Sequence, residues 1–472
     1  MISNKKVVSL PMISNKKDMF KRKIIEKLES WKQDKKHKPL ILRGARQVGK
    51  TTVVNEFGKQ FDNYLYFNLE RKENAKLFEL EIPLDDLVNM LYASSNSTCK
   101  EGTTLIFIDE IQNSNKAISL LRYFYEQRPD LYIIAAGSLL ENLVDVNASF
   151  PVGRVQYLAL RPCSFQEFLG AIGKNNLLNI LSQKAEYTSI YHEHLMHQFN
   201  QYAIIGGMPE AVQKYAETKD IIAIEDIYES LIQSYKDDSE KYVKGNKLTD
   251  VVRFILSYGW AFSGETITLG NFANSSYKSR EVGEAFRILE KAMLLELVYP
   301  TSMTQMPIIP ETKRMPKLIW FDTGLVNYQA GIRKEIIGST EMLDSWRGHI
   351  AEQITAQELW AMEDRVGQHR SFWARPNNGA EVDFIFVHNS KVYPIEVKSG
   401  TNAHLRSLQS FMDNSDIDIA IRVWSKPYSI DKVKTPKGKN FTLINLPFYL
   451  IENLHQILDT QNLMSYSEKA KL

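Results

Sequence analysis

The segment Gly44-Ala-Arg-Gln-Val-Gly-Lys-Thr51 decides the fold of this chain, because it has the spacing GxxxxGK followed by Ser or Thr. The apolar run 38–43 precedes it and predicts a buried strand, while 52–57 predicts the start of a helix. Glycines at both ends let the backbone curl so that its amides face phosphate oxygens, and the helix N-terminus adds partial positive charge. The order strand, glycine loop and helix therefore predicts a P-loop.

A P-loop indicates that the chain binds ATP together with Mg²⁺. We expect Lys50 to reach the β and γ phosphates and the Thr51 hydroxyl to coordinate the magnesium ion. The predicted nucleotide-binding residues are Gly44, Ala45, Arg46, Gln47, Val48, Gly49, Lys50, Thr51 and Thr52.

Two further apolar runs end in polar side chains. The run 103–108 leads into Asp109 and Glu110, and the run 131–136 leads into Gly137 and Ser138. Ligands of open α/β sheets bind at the carboxyl ends of the strands, so these residues are expected beside the P-loop. Asp109 would hold the magnesium ion directly or through water, and Glu110 would polarise the attacking water. A glycine turn without function does not account for three such strands.

The composition predicts a globular chain of two or three domains, since 472 residues exceed what one hydrophobic core supports. Neither a signal peptide nor an apolar run of bilayer length is recognised, which predicts a cytoplasmic protein without a membrane partner. The two cysteines indicate neither a disulfide framework nor a zinc site. The net charge of +2 leaves the choice of partner open.

Composition and pattern divide the chain into five segments. The first, 1–18, is a basic leader in which the hexapeptide starting at Met1 recurs from Met12, and a basic arm that contacts nucleic acid is its alternative interpretation. The other four are a P-loop α/β domain at 19–170, a helical and winged-helix-like region at 171–335, a second α/β domain at 336–450 and a tail at 451–472.

In the middle region, helical patterns at 251–260, 269–275 and 279–292 are followed by a strand pattern at 294–299, the order of a winged helix. In a DNA-binding version, the third helix would contact phosphates through Lys278, Arg280, Arg287 and Lys291. The same helix carries Glu281, Glu284 and Glu290, which nearly cancel that charge and favour a structural or protein-contacting role.

Three polar features of the same region have structural interpretations. Gly206-Gly-Met-Pro209 predicts a helix break, and the stretch from Tyr235 to Asp238, with Lys241 and Tyr242, predicts a solvated, partly paired helix face. Asp322, at the end of the apolar strand pattern 317–322, is interpreted as a turn or cap residue rather than as a metal ligand.

A second set of polar residues lies near the C-terminus. An amphipathic helix at 346–359 precedes two strand patterns, 380–387 and 391–398, separated by a turn. Alternation places Glu381 and Asp383 on one face of the first strand, and Glu396 and Lys398 on one face of the second. Carboxylates that hold Mg²⁺ beside a lysine are what metal-assisted phosphodiester hydrolysis requires.

The P-loop, the segment Ile108-Asp-Glu-Ile-Gln112 and the segment Ala136-Gly-Ser138 resemble the bacterial and archaeal AAA-type (AAA_14) ATPases whose C-terminal part is called DUF4143. The resemblance extends from about residue 19 to about residue 450. It implies that Ser138 is the sensor of the γ phosphate. It also makes Arg154 the candidate for stabilising transition-state charge, in cis or from a neighbouring subunit. A structural arginine in a turn is the alternative.

The C-terminal residues are similar to the PD-(D/E)xK nuclease superfamily, which implies a restriction-endonuclease-like α/β fold for 336–450. The similarity implies that Glu352 is the helix acid, that Asp383 and Glu396 are metal ligands and that Lys398 is the catalytic lysine. Many domains of this fold bind DNA or only contribute to packing, so DNA cleavage is one of several outcomes.

Two functions follow. In the first, a Mg²⁺-dependent ATPase domain controls a C-terminal nuclease-like or DNA-binding module. In the second, an ATP-dependent signalling or assembly switch forms a homo-oligomer or binds a protein partner, and it has no nuclease activity.

Overall fold

The computed structural model describes residues 20–95, 102–137, 151, 153–243, 246–331, 344–376, 379–398 and 405–469. The predicted leader at 1–18 and the predicted sensor Ser138 lie outside these residues. The chain is a mixed α/β protein. Its N-terminal part contains α1 (Ile24–Gln33), β1 (Leu40–Arg43), α2 (Lys50–Gly58), β2 (Asn63–Asn68), α3 (Lys72–Phe78), α4 (Leu84–Ser94), β3 (Thr104–Asp109), α5 (Asn115–Gln127), β4 (Leu131–Gly137) and β5 (Gln156–Ala159).

The five strands of this part form a parallel sheet in the order β2-β3-β4-β1-β5. The three apolar runs read as strands in the sequence are β1, β3 and β4, and β1 and β3 are buried at every position. Because the sheet is parallel, β1 and β3 deliver the P-loop and Asp109 to the same edge. The prediction of a P-loop α/β domain is thereby confirmed.

Alternate side chains of each strand enter two separate cores. Leu42 and Phe107 pack on one side with Val53 and Phe57 of α2. Ile41, Ile106 and Ile133 pack on the other side, with buried side chains of α4 and α5. The sheet is therefore covered on both faces, as the continuous apolar pattern of its strands requires.

The middle of the chain is mostly helical. It contains α6 (Phe165–Ala171), α7 (Asn175–Leu181), α8 (His192–Ile205), α9 (Pro209–Thr218), α10 (Glu225–Tyr242), α11 (Asn246–Tyr258), α12 (Ser279–Lys291), β6 (Leu295–Thr301), β7 (Lys317–Trp320) and α13 (Thr323–Gln329). The predicted helix break is present: α8 ends at Ile205, Gly206 has a φ of 75° and Pro209 occupies the first turn of α9. Between α11 and α12, only a single 3-10 turn (Phe272–Asn274) forms where a short helix was predicted.

The C-terminal part contains α14 (Asp344–Ala361), β8 (Ser371–Ala374), β9 (Glu381–His388), β10 (Lys391–Lys398), α15 (Arg406–Met412), β11 (Ile419–Trp424), β12 (Ser429–Lys434), β13 (Asn440–Pro447) and α16 (Leu454–Lys469). The predicted helix and hairpin therefore correspond to α14 and to the antiparallel pair β9 and β10. Helix α16 lies within the segment assigned to a tail, and Leu454 and Leu458 of this helix are fully buried.

An eight-stranded sheet joins the middle and C-terminal parts. Its order is β12-β13-β11-β10-β9-β8-β6-β7, and β6 pairs with β8 in parallel through Tyr299 opposite Ser371. Strands from before and after residue 335 thus share one sheet. Among the described residues, no helix is long and apolar enough to span a bilayer.

Helix α14 runs through the interior and carries buried polar side chains. Gln353 accepts a hydrogen bond from the Trp320 amide at 2.9 Å, and Gln357 accepts one from the Thr323 amide at 2.7 Å. Glu358 accepts from the Phe165 amide at 3.1 Å and from the Tyr202 hydroxyl at 2.7 Å. These bonds tie the helix to β7, α13, α6 and α8, so Gln353, Gln357 and Glu358 each have a hydrogen-bond partner on another element.

The Glu358 contacts predict a pH-dependent stability. Burial, followed by the nearby carboxyl of Glu452, raises the pKa of Glu358 to about 8. In the unfolded chain this group ionises near its ordinary pKa of about 4.3, so raising the pH from about 5 to about 8 lowers the stability of the folded state, by at most about 1.4 kcal/mol per pH unit. Glu358→Gln retains the acceptor oxygen but does not ionise. Its melting temperature should therefore exceed that of the wild type by a few degrees at pH 9 and by little at pH 5.

Differential scanning fluorimetry from pH 5 to pH 9 measures this difference. The exposed Glu284→Gln substitution on α12 is the control and should follow the wild-type curve at every pH. Parallel curves for Glu358→Gln and the wild type would show that the Glu358 carboxyl does not set this dependence.

Candidate nucleotide site and C-terminal carboxylate cluster

The loop between β1 and α2 has the backbone conformation that a phosphate-binding loop needs. Gly49 has a φ of 94° and Gln47 a φ of 64°, both in the left-handed region. At Gly44, a β-carbon would lie 2.4 Å from the carbonyl oxygen of Leu160, so only glycine fits there. The loop is therefore shaped by its two glycines.

The Lys50 ammonium lies inside this loop. It is buried and donates hydrogen bonds to the carbonyl oxygens of Gly44 at 2.9 Å and Ala45 at 3.0 Å. Burial lowers the pKa of Lys50 to about 8, although the carboxylates of Glu110 and Asp109 oppose the shift. Negative charge from phosphate groups would favour the protonated lysine further.

Thr51 and Asp109 meet at the edge of the sheet. The Thr51 hydroxyl donates to Asp109 Oδ2 at 2.7 Å, and the Tyr66 hydroxyl donates to the same oxygen at 3.2 Å. Burial raises the pKa of Asp109, and the bond from Thr51 opposes that effect. A hydroxyl and a carboxylate are hard oxygen donors, so this pair fits a magnesium ion whose other ligands are phosphate oxygens and water.

Glu110 stands beside Asp109 in a left-handed backbone conformation, with a φ of 53°. The side-chain amide of Gln112 donates to its carboxylate. Neither Gln112 nor Tyr66 was predicted from the sequence to have a role in the site. For Gln112 a signal was present, because it closes the segment 108–112 that carries the family resemblance. Tyr66 lies on β2, a strand that the sequence analysis did not predict.

Arg154 lies away from the P-loop of its own chain. It precedes β5, whose first residue, Gln156, is in register with Leu40 at the start of β1. The P-loop follows the other end of β1, four residues or roughly 13 Å further along the strand. The Arg154 guanidinium donates to the Glu126 carboxylate at 3.2 Å. The structure therefore brings together Lys50, Thr51, Asp109 and Glu110, but not Arg154.

Helix α10 contacts the P-loop. Arg46 forms an ion pair with Asp238, and the Tyr235 hydroxyl donates to the Arg46 carbonyl oxygen at 3.1 Å. Tyr235 is fully buried and Asp238 is 6% exposed, so the prediction of a solvated face is wrong for these two residues, whereas Asp237 is exposed and the predicted pairing is present at Asp238. The pattern was misleading because the P-loop covers this face, and that contact joins residues 192 positions apart.

The acids predicted near the C-terminus lie close together. We call Glu352, Glu381, Asp383 and Glu396 the carboxylate cluster. Lys398 donates to Glu396 at 2.6 Å, and Asp383 accepts a hydrogen bond from the Val397 amide at 2.7 Å. For both Glu352 and Glu396, burial followed by the charge of Asp383 raises the pKa to about 7.

Lys317, the first residue of β7, reaches into the carboxylate cluster. Its ammonium nitrogen lies 2.7 Å from Glu381, 2.9 Å from Glu352 and 3.4 Å from Asp383. Burial alone would lower the pKa of Lys317, but these carboxylates outweigh burial and hold it above its ordinary range. Within the described part of the chain, no group of three or more His, Cys, Asp or Glu side chains is arranged to hold a metal ion. The cluster in this arrangement does not fit Mg²⁺.

Asp322, at the other end of the same segment, has the structural role that was predicted for it. Its carboxylate accepts hydrogen bonds from the Leu325 amide at 3.0 Å, capping α13, and from the Gly207 amide at 2.5 Å. Helix α12 and the residue before it carry both basic and acidic side chains on the surface. Lys278, Arg280 and Arg287 are exposed, whereas Glu281 forms an ion pair with Lys247 at 2.5 Å.

Comparisons with known proteins agree with the N-terminal geometry. Residues 36–169 match the family model AAA_14, described as an AAA domain. Residues 196–336 match DUF8612 and residues 347–449 match DUF4143, both described as domains of unknown function. The uncharacterized protein MJ1637 of Methanocaldococcus jannaschii is 25% identical over 415 residues, which are 82% of this chain and 80% of the relative.

Two solved structures of low similarity are the Walker-type ATPase PABY2304 of Pyrococcus abyssi and the Aeropyrum pernix ORC1 protein in complex with DNA. The first has a TM-score of 0.38 and 14% identity, covering 66% of this chain and 96% of the other. The second has a TM-score of 0.28 and 10% identity, covering 65% and 90%. By its family matches, this chain carries an AAA-type P-loop ATPase domain and a C-terminal DUF4143 domain.

Proposed function

We propose that this chain hydrolyses ATP with Mg²⁺ and uses its nucleotide state to switch its middle and C-terminal parts. The observation that carries the hydrolysis is the contact of Thr51 with Asp109 at 2.7 Å beside the buried ammonium of Lys50. These three side chains and the amides of the P-loop supply the donors and acceptors that a nucleoside triphosphate and its metal require.

Each residue has one role in this proposal. Lys50 binds the β and γ phosphates, and Thr51 and Asp109 hold the magnesium ion, which would neutralise charge on the phosphate oxygens. Glu110, oriented by the amide of Gln112, accepts the proton of the attacking water. Ser138 is proposed to contact the γ phosphate, and Gln47 and Thr52 to complete the binding loop. Since Arg154 lies before β5, we propose that it acts on a neighbouring subunit, which requires a homo-oligomer.

ATPase measurements on two variants test these roles. Lys50→Ala should lose nucleotide binding because the phosphates lose their buried cation, and full activity in this variant would exclude the P-loop as the site. Glu110→Gln should bind ATP with wild-type affinity but hydrolyse it at least about 100-fold more slowly, since one general base contributes roughly 10²–10⁴ to the rate. Normal hydrolysis by Glu110→Gln would mean that another group activates the water.

We infer that helix α10 transmits the nucleotide state. Arg46 belongs to the loop that would surround the phosphates, and its two halves have different partners: its guanidinium pairs with Asp238, and its carbonyl accepts from Tyr235. Phosphate charge beside the loop competes with Asp238 for the guanidinium. Binding and release of ATP would therefore alter the contact that holds α10 against the ATPase domain.

Substitution of neighbouring aspartates on α10 separates this contact from the general effect of charge. Asp238→Asn removes the ion pair, whereas Asp237 is exposed and Asp237→Asn leaves the pair intact. In the Glu110→Gln background, hydrogen exchange of residues 225–242 should change on adding ATP. We expect that change to shrink at least about twofold in Asp238→Asn and to persist in Asp237→Asn. Equal responses in both variants would contradict transmission through Asp238.

The contacts of the carboxylate cluster favour a C-terminal part that binds a partner and does not cleave nucleic acid. Lys317 contacts three of its acids, so a metal ion of a nuclease would have to displace this ammonium group from between them. We therefore propose the switch without nuclease activity, acting on a protein partner. The exposed Lys278, Arg280 and Arg287 of α12 make DNA binding without cleavage the second candidate.

A cleavage assay decides between these outputs and a nuclease. The purified protein is incubated with linear, circular and single-stranded DNA and with RNA, with and without ATP and Mg²⁺. We expect intact nucleic acid under all conditions. Mg²⁺-dependent cleavage that is lost in Asp383→Ala and in Lys398→Ala would instead establish the nuclease. A gel-shift assay on the same samples detects DNA binding, which Arg280→Ala combined with Arg287→Ala should abolish.

A further inference from the structure

Lys317 is among the most buried cations of the described chain, and three separate carboxylates contact its ammonium group. Its side chain is 4% exposed, and Glu352, Glu381 and Asp383 each place an oxygen within 3.4 Å of its nitrogen. An ammonium group has three N–H donors, so each carboxylate can receive one of them. The arrangement uses the full donor capacity of one lysine.

The three carboxylates come from elements that surround a single point. Glu352 lies on α14, and Glu381 and Asp383 lie on β9. In the sheet, β8 and β6 lie between β9 and β7, the strand that begins with Lys317. The Lys317 ammonium also lies 5.0 Å from the centre of the Phe372 ring on the intervening strand β8. Lys317 therefore connects β7 to both α14 and β9.

We propose that Lys317 is the resident cation of the carboxylate cluster, filling with a side chain the position at which these acids would otherwise bind a divalent metal ion. Several carboxylates brought this close repel one another unless a cation stands between them. Lys317 supplies that cation from within the chain, so the C-terminal part is held together without metal. Removing its charge would leave oxygen ligands of the kind that Mg²⁺ and Mn²⁺ prefer.

Mn²⁺ titration of the full, nucleotide-free chain, followed by electron paramagnetic resonance of the free ion, tests this inference. The wild type and Asp383→Asn should bind the same amount of Mn²⁺. Lys317→Met, of similar length but uncharged, should gain one Mn²⁺ per chain, and the double variant with Asp383→Asn should lose it. Lys391→Met, on β10 and hydrogen-bonded to Asn462 rather than to the cluster, is the control and should gain none.

Two results would overturn the proposal. One is Mn²⁺ binding by the wild type that Asp383→Asn abolishes; the other is a folded Lys317→Met that gains no site. If Lys317→Met does not fold, Asp109→Asn still decides the question, because its melting temperature should be the same in EDTA and in MnCl₂. A rise of several degrees with MnCl₂ that persists in Asp109→Asn but vanishes in Asp383→Asn would place a metal in the cluster. The Mn²⁺ titration and the melting temperatures do not depend on ATPase activity, so these tests can fail or succeed independently of the proposed ATP hydrolysis.

Discussion

The buried polar face of α14 is the constraint on which the arrangement of the whole chain depends. A helix with Gln353, Gln357 and Glu358 in the interior is costly unless each polar group finds a partner, and each of them binds a backbone amide of another element. Such bonds are directional, so they fix the rotation and the axial position of the helix. Near its end, the Trp360 ring contacts the guanidinium groups of Arg161, at 4.5 Å from the ring centre, and Arg370, at 4.8 Å.

The consequence of this anchoring is a short physical connection between the two polar sites. Strand β7 begins at Lys317 in the carboxylate cluster, and its backbone is bonded to α14 at Trp320. The next residue, Phe321, packs edge-on against Tyr235 with 5.9 Å between ring centres. Tyr235 in turn binds the P-loop at Arg46. The route from the nucleotide site to the cluster thus passes through Tyr235 of α10, Phe321 and strand β7.

How much of this was predictable depended on the range of the interactions. The P-loop, Asp109 and Glu110 follow from local order, because a strand that ends in a given residue delivers it to a known edge. The faces of β9 and β10 follow from alternation. Lys317 was overlooked because its partners lie 35 to 66 residues away, and a lysine at the start of an apolar strand has no local signature. The position of Arg154 required knowledge of β5, a strand of four residues that the sequence analysis did not predict.

The sheet that joins β6 and β7 to β8 also bears on how such chains evolve. The DUF8612 and DUF4143 matches end and begin at residues 336 and 347, yet the parallel pairing of β6 with β8 crosses that boundary. A chain that kept only the later match would expose β8 as an unpaired edge, which invites pairing with other chains. Recombination at this boundary would thus yield an aggregation-prone fragment. Selection should therefore retain or discard the two matched regions as one heritable unit.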